Sequence, residues 1–397
     1  MANNTETNTN TEKRVLWNKT FITLLLANLV TNLSFHILVP LLPVYGLNFT
    51  ASETLIGFLA ASISFAALLI RPFSGVMADR GNRKKLIIIT QFGAAIAILG
   101  LIIAPNIWML IVARFIHGLL FGISSTIVTV STIQVTPEER MGQGVGLLST
   151  TALCGQAVAP ALGIWIAGNW GYSTLFAVTG ILTAIAGVII FAIKDNATIS
   201  SPIPVEKKKV TIRDLIAFET VDLALLVLIF AMITGIISNF IVIFGNERSI
   251  NDIGLYFTIY ASVLVITRIA CGKLIDKYPF QKMVYICAIM CGAGLIIISM
   301  ANSFTPLIAT AVLIGAGYGV ASPALQTAMI KRVPLEKRGA ASATYYLGMD
   351  TSFVIGPIAM GFLVERLGFT PAFLVFCIPV FCVIPLSFIF AGRKIQK

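Results

Sequence analysis

Long runs without a charged side chain constrain this chain more than any other feature. Residues 20–52, 54–70, 86–113, 115–137 and 141–193 contain no Asp, Glu, Lys or Arg. The same holds for 223–246, 253–267, 283–330 and 367–392, while 339–364 carries the single acid Asp350. A helix needs about 20 apolar residues to cross roughly 30 Å of hydrocarbon, and the amides buried there must be satisfied within the helix itself. Breaks at Ala104–Pro105–Asn106, Gly168–Gly171 and Asn302–Pro306 divide the longest runs. The first span is expected to end near Pro40–Pro43. The pattern predicts an all-α membrane protein with twelve transmembrane helices in two six-helix bundles.

Composition agrees. Hydrophobic residues make up 57% of the 397 and charged residues 11%, with a mean hydropathy of +0.92. Soluble domains carry about 25% charged residues, so a soluble globular, disordered or secreted disulfide-rich class is excluded. All six cysteines lie in apolar stretches and read as small buried residues. Cys287 and Cys291 share a helical face, but no further ligands accompany them, so no metal site is expected. No zinc-spaced His pair, nucleophile elbow or phosphate loop is present, so an enzyme is not expected, and no cofactor is called for.

The basic residues set the topology. Of the 28 lysines and arginines, all but Arg71, Arg114, Arg248, Arg268 and Arg366 fall in segments that lie on one side if the N-terminus is inside. This bias predicts cytoplasmic termini and a multi-pass protein of the cell membrane. It explains the net charge of +11 by topology and lipid contact, not by nucleic acid. The expected division is a disordered tail over 1–18, a bundle over 19–193, a linker over 194–214 containing Pro202, Pro204 and Lys207–Lys209, a second bundle over 215–392, and a tail over 393–397.

The two halves match at a constant offset of 197 residues. Gly57 pairs with Gly254, Arg71 with Arg268, Asp79 with Asp276, Gly118 with Gly315, Pro160 with Pro357, and Gly171 with Gly368. Paired bundles in parallel orientation are the plan of transporters whose site lies between the halves near the midplane.

The motifs sharpen the reading. Gly75-Val-Met-Ala-Asp79-Arg80-Gly81-Asn-Arg83-Lys84-Lys85 resembles the loop signature of the major facilitator superfamily, and Gly272 to Asp276-Lys277 is a degraded copy. Arg114-Phe-Ile-His117-Gly118 resembles the family's intramembrane arginine motif. Gly146, Gly155, Pro160 and Gly163 resemble the antiporter signature of twelve-helix drug/proton exporters, with Ala159 and Ile164 standing where the family has Gly. The resemblance implies a proton-coupled exporter of an amphipathic small molecule working by alternating access. Sodium as the coupling ion, and a specific metabolite such as a sugar, amino-acid derivative or metallophore as the cargo, share every motif named. A monomer in the lipid bilayer is expected.

Residue roles follow. Asp79, with Gly75, Arg80, Gly81, Arg83 and Asp276, is expected to form a cytoplasmic gate, the Asp79 carboxylate meeting a helix N-terminus near Gly339 whose partial charge favours an anion. Asp350 lies 11 residues past Gly339, about 16 Å into its helix. An ionisable group at that depth is a functional hypothesis by default, so Asp350 is the expected proton carrier. Arg114, His117 and His36 are its expected companions. Asn32, Tyr260, Tyr318, Gln326, Tyr345 and Tyr346 are candidates for a substrate cavity. Arg71 and Arg268 read as residues that close their helices and snorkel to headgroups.

Overall fold

In a computed structural model of the chain, residues 16–193, 216–334 and 337–391 are described, apart from the side chains of Asp79, Arg80, Glu138, Gly142, Gly272, Lys273, Asp276 and Ala391. The expected N-terminal tail falls almost wholly outside these residues, as do the linker at 194–214 and the last five residues. Among the described residues, eleven helices are long and apolar enough to cross a membrane. They are α1 (Lys19–Gly46), α2 (Glu53–Arg80), α3 (Arg83–Leu99), α4 (Ile107–Val135), α5 (Met141–Phe191), α6 (Val221–Glu247), α7 (Ile253–Lys277), α8 (Phe280–Ser299), α9 (Phe304–Arg332), α10 (Arg338–Leu367) and α11 (Phe369–Ala391).

Local sequence explains where these elements begin and break. Asn18, Ser52, Asn82 and Asn106 cap α1 to α4, each side chain accepting an amide from the residue three positions on. α1 does not stop at its prolines; Pro40 and Pro43 both lie inside it. Membrane helices tolerate this because neighbours re-satisfy the freed carbonyls. α5 has 51 residues, about 77 Å of continuous helix, but it is broken at Gly171, where φ is 82° and ψ 171°. Gly368, its partner in the duplication, separates α10 from α11 with φ 80° and ψ 172°. Only glycine enters this region without strain, and the repeat preserves the corner almost to the degree.

The packing follows the same repeat. α2 packs on α10, α5 on α7 and α1 on α6. The 197-residue offset maps α2 onto α7, the first arm of α5 onto α10, and α1 onto α6. The two seams between the halves are therefore copies of each other.

Polar ties mark the two ends of the bundle. At one end, Arg332 in α9 donates Nη1 to both Asp222 oxygens at 2.6 and 2.7 Å, and Nη2 to the Phe390 carbonyl at 2.7 Å. Arg83 is 1% exposed at this end and donates to the Ala78 carbonyl and the Gln134 side chain. It thus joins α2, α3 and α4 within the first half. At the far end, Arg248 donates to the Ala301 carbonyl, Asn302 and Thr370. The first end carries Lys84, Lys85, Lys277, Lys282, Lys331, Arg332 and Lys337 and is called the basic end below.

The seams are tight at the far end. A Cβ on Gly361 would fall on the Glu53 carbonyl oxygen, and one on Gly57 would fall on that of Pro357. Gly254 of α7 lies against Ala161 and Ile164 of α5. Glu365 near the end of α10 accepts from Ser52 Oγ and from the Thr54 amide, both at 2.8 Å, and so caps α2 from across the seam. Toward the basic end, Gly75, Gly146 and Gly339 have open space where a Cβ would stand.

Candidate transport site

The expected arginine partner of Asp350 is replaced by another. α2 continues nine residues beyond Arg71 to Arg80, so Arg71 lies well inside the helix and does not close it. From there its Nε reaches across the seam to Asp350 Oδ2 at 3.1 Å. Asp350 is 8% exposed and belongs to α10, in the other half. A carboxylate in so dry a place needs a charged partner or a proton.

Arg114 faces the same cavity without meeting Asp350. It is 3% exposed on α4. Its guanidinium lies over the Phe35 ring, 5.7 Å from the centroid, and Phe35 stacks in turn on Phe121 at 4.4 Å. Nη1 lies 3.1 Å from His117 Nδ1. A guanidinium can only donate, so in this contact Nδ1 is the acceptor. His36 packs edge-on against Phe35. Among the described residues no carboxylate pairs with Arg114.

These groups surround a cavity of about 220 Å³ between the halves. Asn32, His36, Arg114, Arg71 and Asp350 supply its polar wall, with Gln156, Ser64, Ser238 and Asn239. Phe35, Phe121, Val39, Met349 and Phe353 supply the apolar one. Counted over its lining, the wall holds two arginines against one carboxylate.

The other candidates lie elsewhere. Tyr260 and Pro160 line a small adjoining void of about 20 Å³ with His36 and Tyr256. Tyr345 is buried within the second half, sharing a 2.6 Å hydrogen bond with Ser322. Tyr318 is buried, Tyr346 is exposed and Gln326 half-buried, and none of these lines the cavity. Gly155 and Gly163 pack against Asn32 and against Ile37 and Leu41 of α1, so they thin α5 toward its own bundle and not toward the seam. Of the gate residues, Gly81 ends α2 beneath Leu86 and Arg83 is buried in the first half, while Gly75 makes no close approach. The side chains of Asp79, Arg80 and Asp276 lie outside the description. The sequence marks Arg71 only as a helix-closing residue and does not single out Gln156, Ser238 or Asn239. The signal for Arg71 was the uninterrupted helical pattern running on to Arg80.

The profile of the Major Facilitator Superfamily matches residues 24–251 and 223–396, nearly all of the chain and each half in turn. The chain belongs to the major facilitator superfamily. It is a multi-pass membrane transporter of small molecules, not an enzyme. It is 26% identical to multidrug resistance protein MdtG of Salmonella paratyphi C (strain RKS4594) over 377 residues, 90% of this chain and 92% of that one. Against MdtG of Klebsiella pneumoniae (strain 342) the identity is 25% over 379 residues, 90% of each. Among solved structures, a bacterial homologue of the human lysosomal transporter Spinster, inward-facing and occupied, superposes with a TM-score of 0.79 at 14% identity. It covers 94% of this chain and 96% of the other. A POT family transporter in complex with 5-aminolevulinic acid gives 0.81 at 14% identity, covering 95% and 96%. These two establish the fold alone. The two curated relatives are thus multidrug resistance proteins of the same superfamily.

Proposed function

We propose that this protein is a proton-coupled exporter of amphipathic small molecules, built of twelve spans in two six-helix bundles with both termini in the cytoplasm. The twelfth span comes from reading the two arms of α5 as separate crossings at Gly171, as Gly368 separates α10 and α11. The basic end is then the cytoplasmic one, where the positive-inside bias puts it. The close seam contacts at the far end, at Gly57, Gly361 and Glu365, support reading this arrangement as the inward-facing state of an alternating-access cycle.

The observation that carries the proposal is the Arg71–Asp350 pair across the seam. In its charged form Asp350 ties α10 to α2. A proton on Asp350 removes the charge, releases Arg71 and loosens the contact between the bundles. Proton occupancy and bundle orientation are thereby linked through one carboxyl group. Linkage requires that each state bind the proton differently, and an acid that has a cationic partner in one state and lacks it in the other meets that requirement. The apolar wall and the polar one suit a solute with both characters, and Arg114, which pairs with no described carboxylate, supplies a hydrogen-bond donor for an acceptor or anionic group on it.

The test is efflux from proteoliposomes with an imposed pH gradient and a fluorescent amphipathic dye as cargo. Asp350→Asn is expected to bind the dye within a few-fold of the wild-type affinity while gradient-driven efflux falls by roughly 5- to 150-fold, the range of ordinary site-to-site coupling. Full gradient-driven efflux with an unchanged pH profile would move the carrier role away from Asp350. Replacing the proton gradient by a sodium gradient distinguishes the coupling ion.

A further inference from the structure

A second recess lies outside the transport pathway, in the second half near the basic end. About 490 Å³ in size, it is lined by the end of α7, the start of α8 and the middle of α9. Its inner wall is apolar: Leu274, Met283, Ile286, Met290, Ala316 and Val320. Its mouth is different in kind. Tyr278 and Lys282 stand there, and the ammonium groups of Lys277 and Lys282 both lie 5.5 Å from the centre of the Tyr278 ring. Two cations are thus gathered at one ring with no acidic partner in a described ion pair. A third feature lies between Tyr278 and Lys282 in the chain. α8 starts at Phe280 after Pro279, and no side chain caps its first amides, which leaves donors for an external acceptor.

The recess is not a by-product of the repeat. At the 197-residue offset Tyr278 corresponds to Gly81, Ala316 to Leu119 and Lys277 to Arg80, while Lys282 corresponds to Lys85. In the first half a Cβ at position 81 would strike Leu86 and the Met77 carbonyl, so a side chain such as Tyr278 has no room there. A small residue at 316 and an aromatic at 278 are therefore particular to this half. From Lys282 to Met290 the recess runs eight residues along α8, about 12 Å toward the bilayer centre.

An apolar trench with paired cations at its membrane-surface end matches one class of ligand, and we propose that it holds an anionic phospholipid. One acyl chain lies in the trench, and the phosphate sits between Lys277, Lys282 and the first amides of α8. Interhelical pockets with basic rims take anionic headgroups by the same electrostatics that draw polybasic segments to the leaflet surface. A zwitterionic lipid offers the trench the same chain but brings a cation of its own to the lysines.

The test uses the purified full-length chain in a neutral detergent, with palmitoyl-oleoyl phosphatidylglycerol and palmitoyl-oleoyl phosphatidylcholine as probes. Bound lipid is counted by native mass spectrometry, and thermal stability is read in parallel, since a ligand preferring the folded state raises it. Phosphatidylglycerol is expected to be retained in preference to phosphatidylcholine. The double change Lys277→Gln, Lys282→Gln should weaken its binding by roughly thirtyfold, from the surface contribution of two lysines, and abolish the preference. Ala316→Leu, which copies the first half, should lower retention of both lipids while the lysines remain. Lys85→Gln, the same charge removed at the equivalent place in the first half, should leave the preference intact. Equal retention of the two lipids by the wild type would overturn the proposal. So would a preference that survives loss of both lysines, or one that Lys85→Gln reduces as much, since either result means diffuse surface attraction. Should Ala316→Leu not fold, the two lysine experiments still decide the matter.

Discussion

Asp350 and Arg71 belong to different halves, yet their side chains meet at 3.1 Å. Asp350 is buried whereas the Arg71 side chain is 34% exposed, so removing the arginine strands a buried carboxylate while removing the aspartate leaves a partly solvated cation. Arg71→Ala and Asp350→Ala are therefore expected to be non-additive, with an interaction of about 0.5–3 kcal/mol in the double-mutant cycle on thermal stability in detergent. Strict additivity would mean that the pair makes no energetic contact. Arg114 is a separate unit at this scale, held by the Phe35 face and by His117. Gly361 is the other decisive residue. Because a Cβ there would strike the Glu53 carbonyl, Gly361→Ala should force the far end of α2 and α10 apart. Thiol labelling of single cysteines near that seam should rise. Unchanged labelling would show that the backbone gives way locally instead.

Elements are tied together at their ends by a small number of charged side chains. Arg332, 8% exposed at the end of α9, bonds Asp222 at the start of α6 and the Phe390 carbonyl near the end of α11. Arg332→Met alone should destabilise the protein by about 3–5 kcal/mol, because it strands the Asp222 carboxylate. Adding Asp222→Leu should recover much of the loss, read again as thermal stability. At the opposite end, Glu365 caps α2 from α10. A carboxylate at a helix N-terminus is held both by the free amides and by the helix dipole. Glu365→Gln keeps the size and removes the charge, so it should weaken the cap and shift the population toward far-end opening. Spin labels placed on α2 and α10 would report the longer distance, and an unchanged distance distribution would reduce Glu365 to a surface contact.

For the whole molecule, the two seams are copies of one another, but their fastenings are not. The α2–α10 seam has Glu365 at its end and the Arg71–Asp350 pair farther in. In the α5–α7 seam the repeat puts Gly168 and Leu153 where Glu365 and Asp350 stand, so Arg268 has no carboxylate at the equivalent place. A symmetric hinge with an asymmetric lock follows. If transport needs the far end to open, then Ser52→Cys and Glu365→Cys joined by a short cleavable thiol reagent should abolish it. The background would lack the six native cysteines, and cleavage of the reagent should restore activity. Continued transport in the cross-linked state would exclude opening at that end.

The all-helical membrane class, the duplication and the family were all legible in the order of residues, because each is recorded locally: charge-free runs, repeated Gly and Pro, and a loop motif. Asp350 stood out for the same reason, being the lone acid in its run. The sequence also contained the break at Gly171, though not the shared backbone angles that make it the twin of Gly368. What only the tertiary structure decided was pairing across the seam. Arg71 and Asp350 are 279 positions apart, and hydropathy carries no information about helix rotation or about which helix faces which. The same limit put Tyr318, Gln326, Tyr345 and Tyr346 among the cavity candidates and left Gln156, Ser238 and Asn239 out. A side chain's chemistry is fixed by its type, but its role here is fixed by the neighbour that folding brings within about 3 Å, the reach of a hydrogen bond.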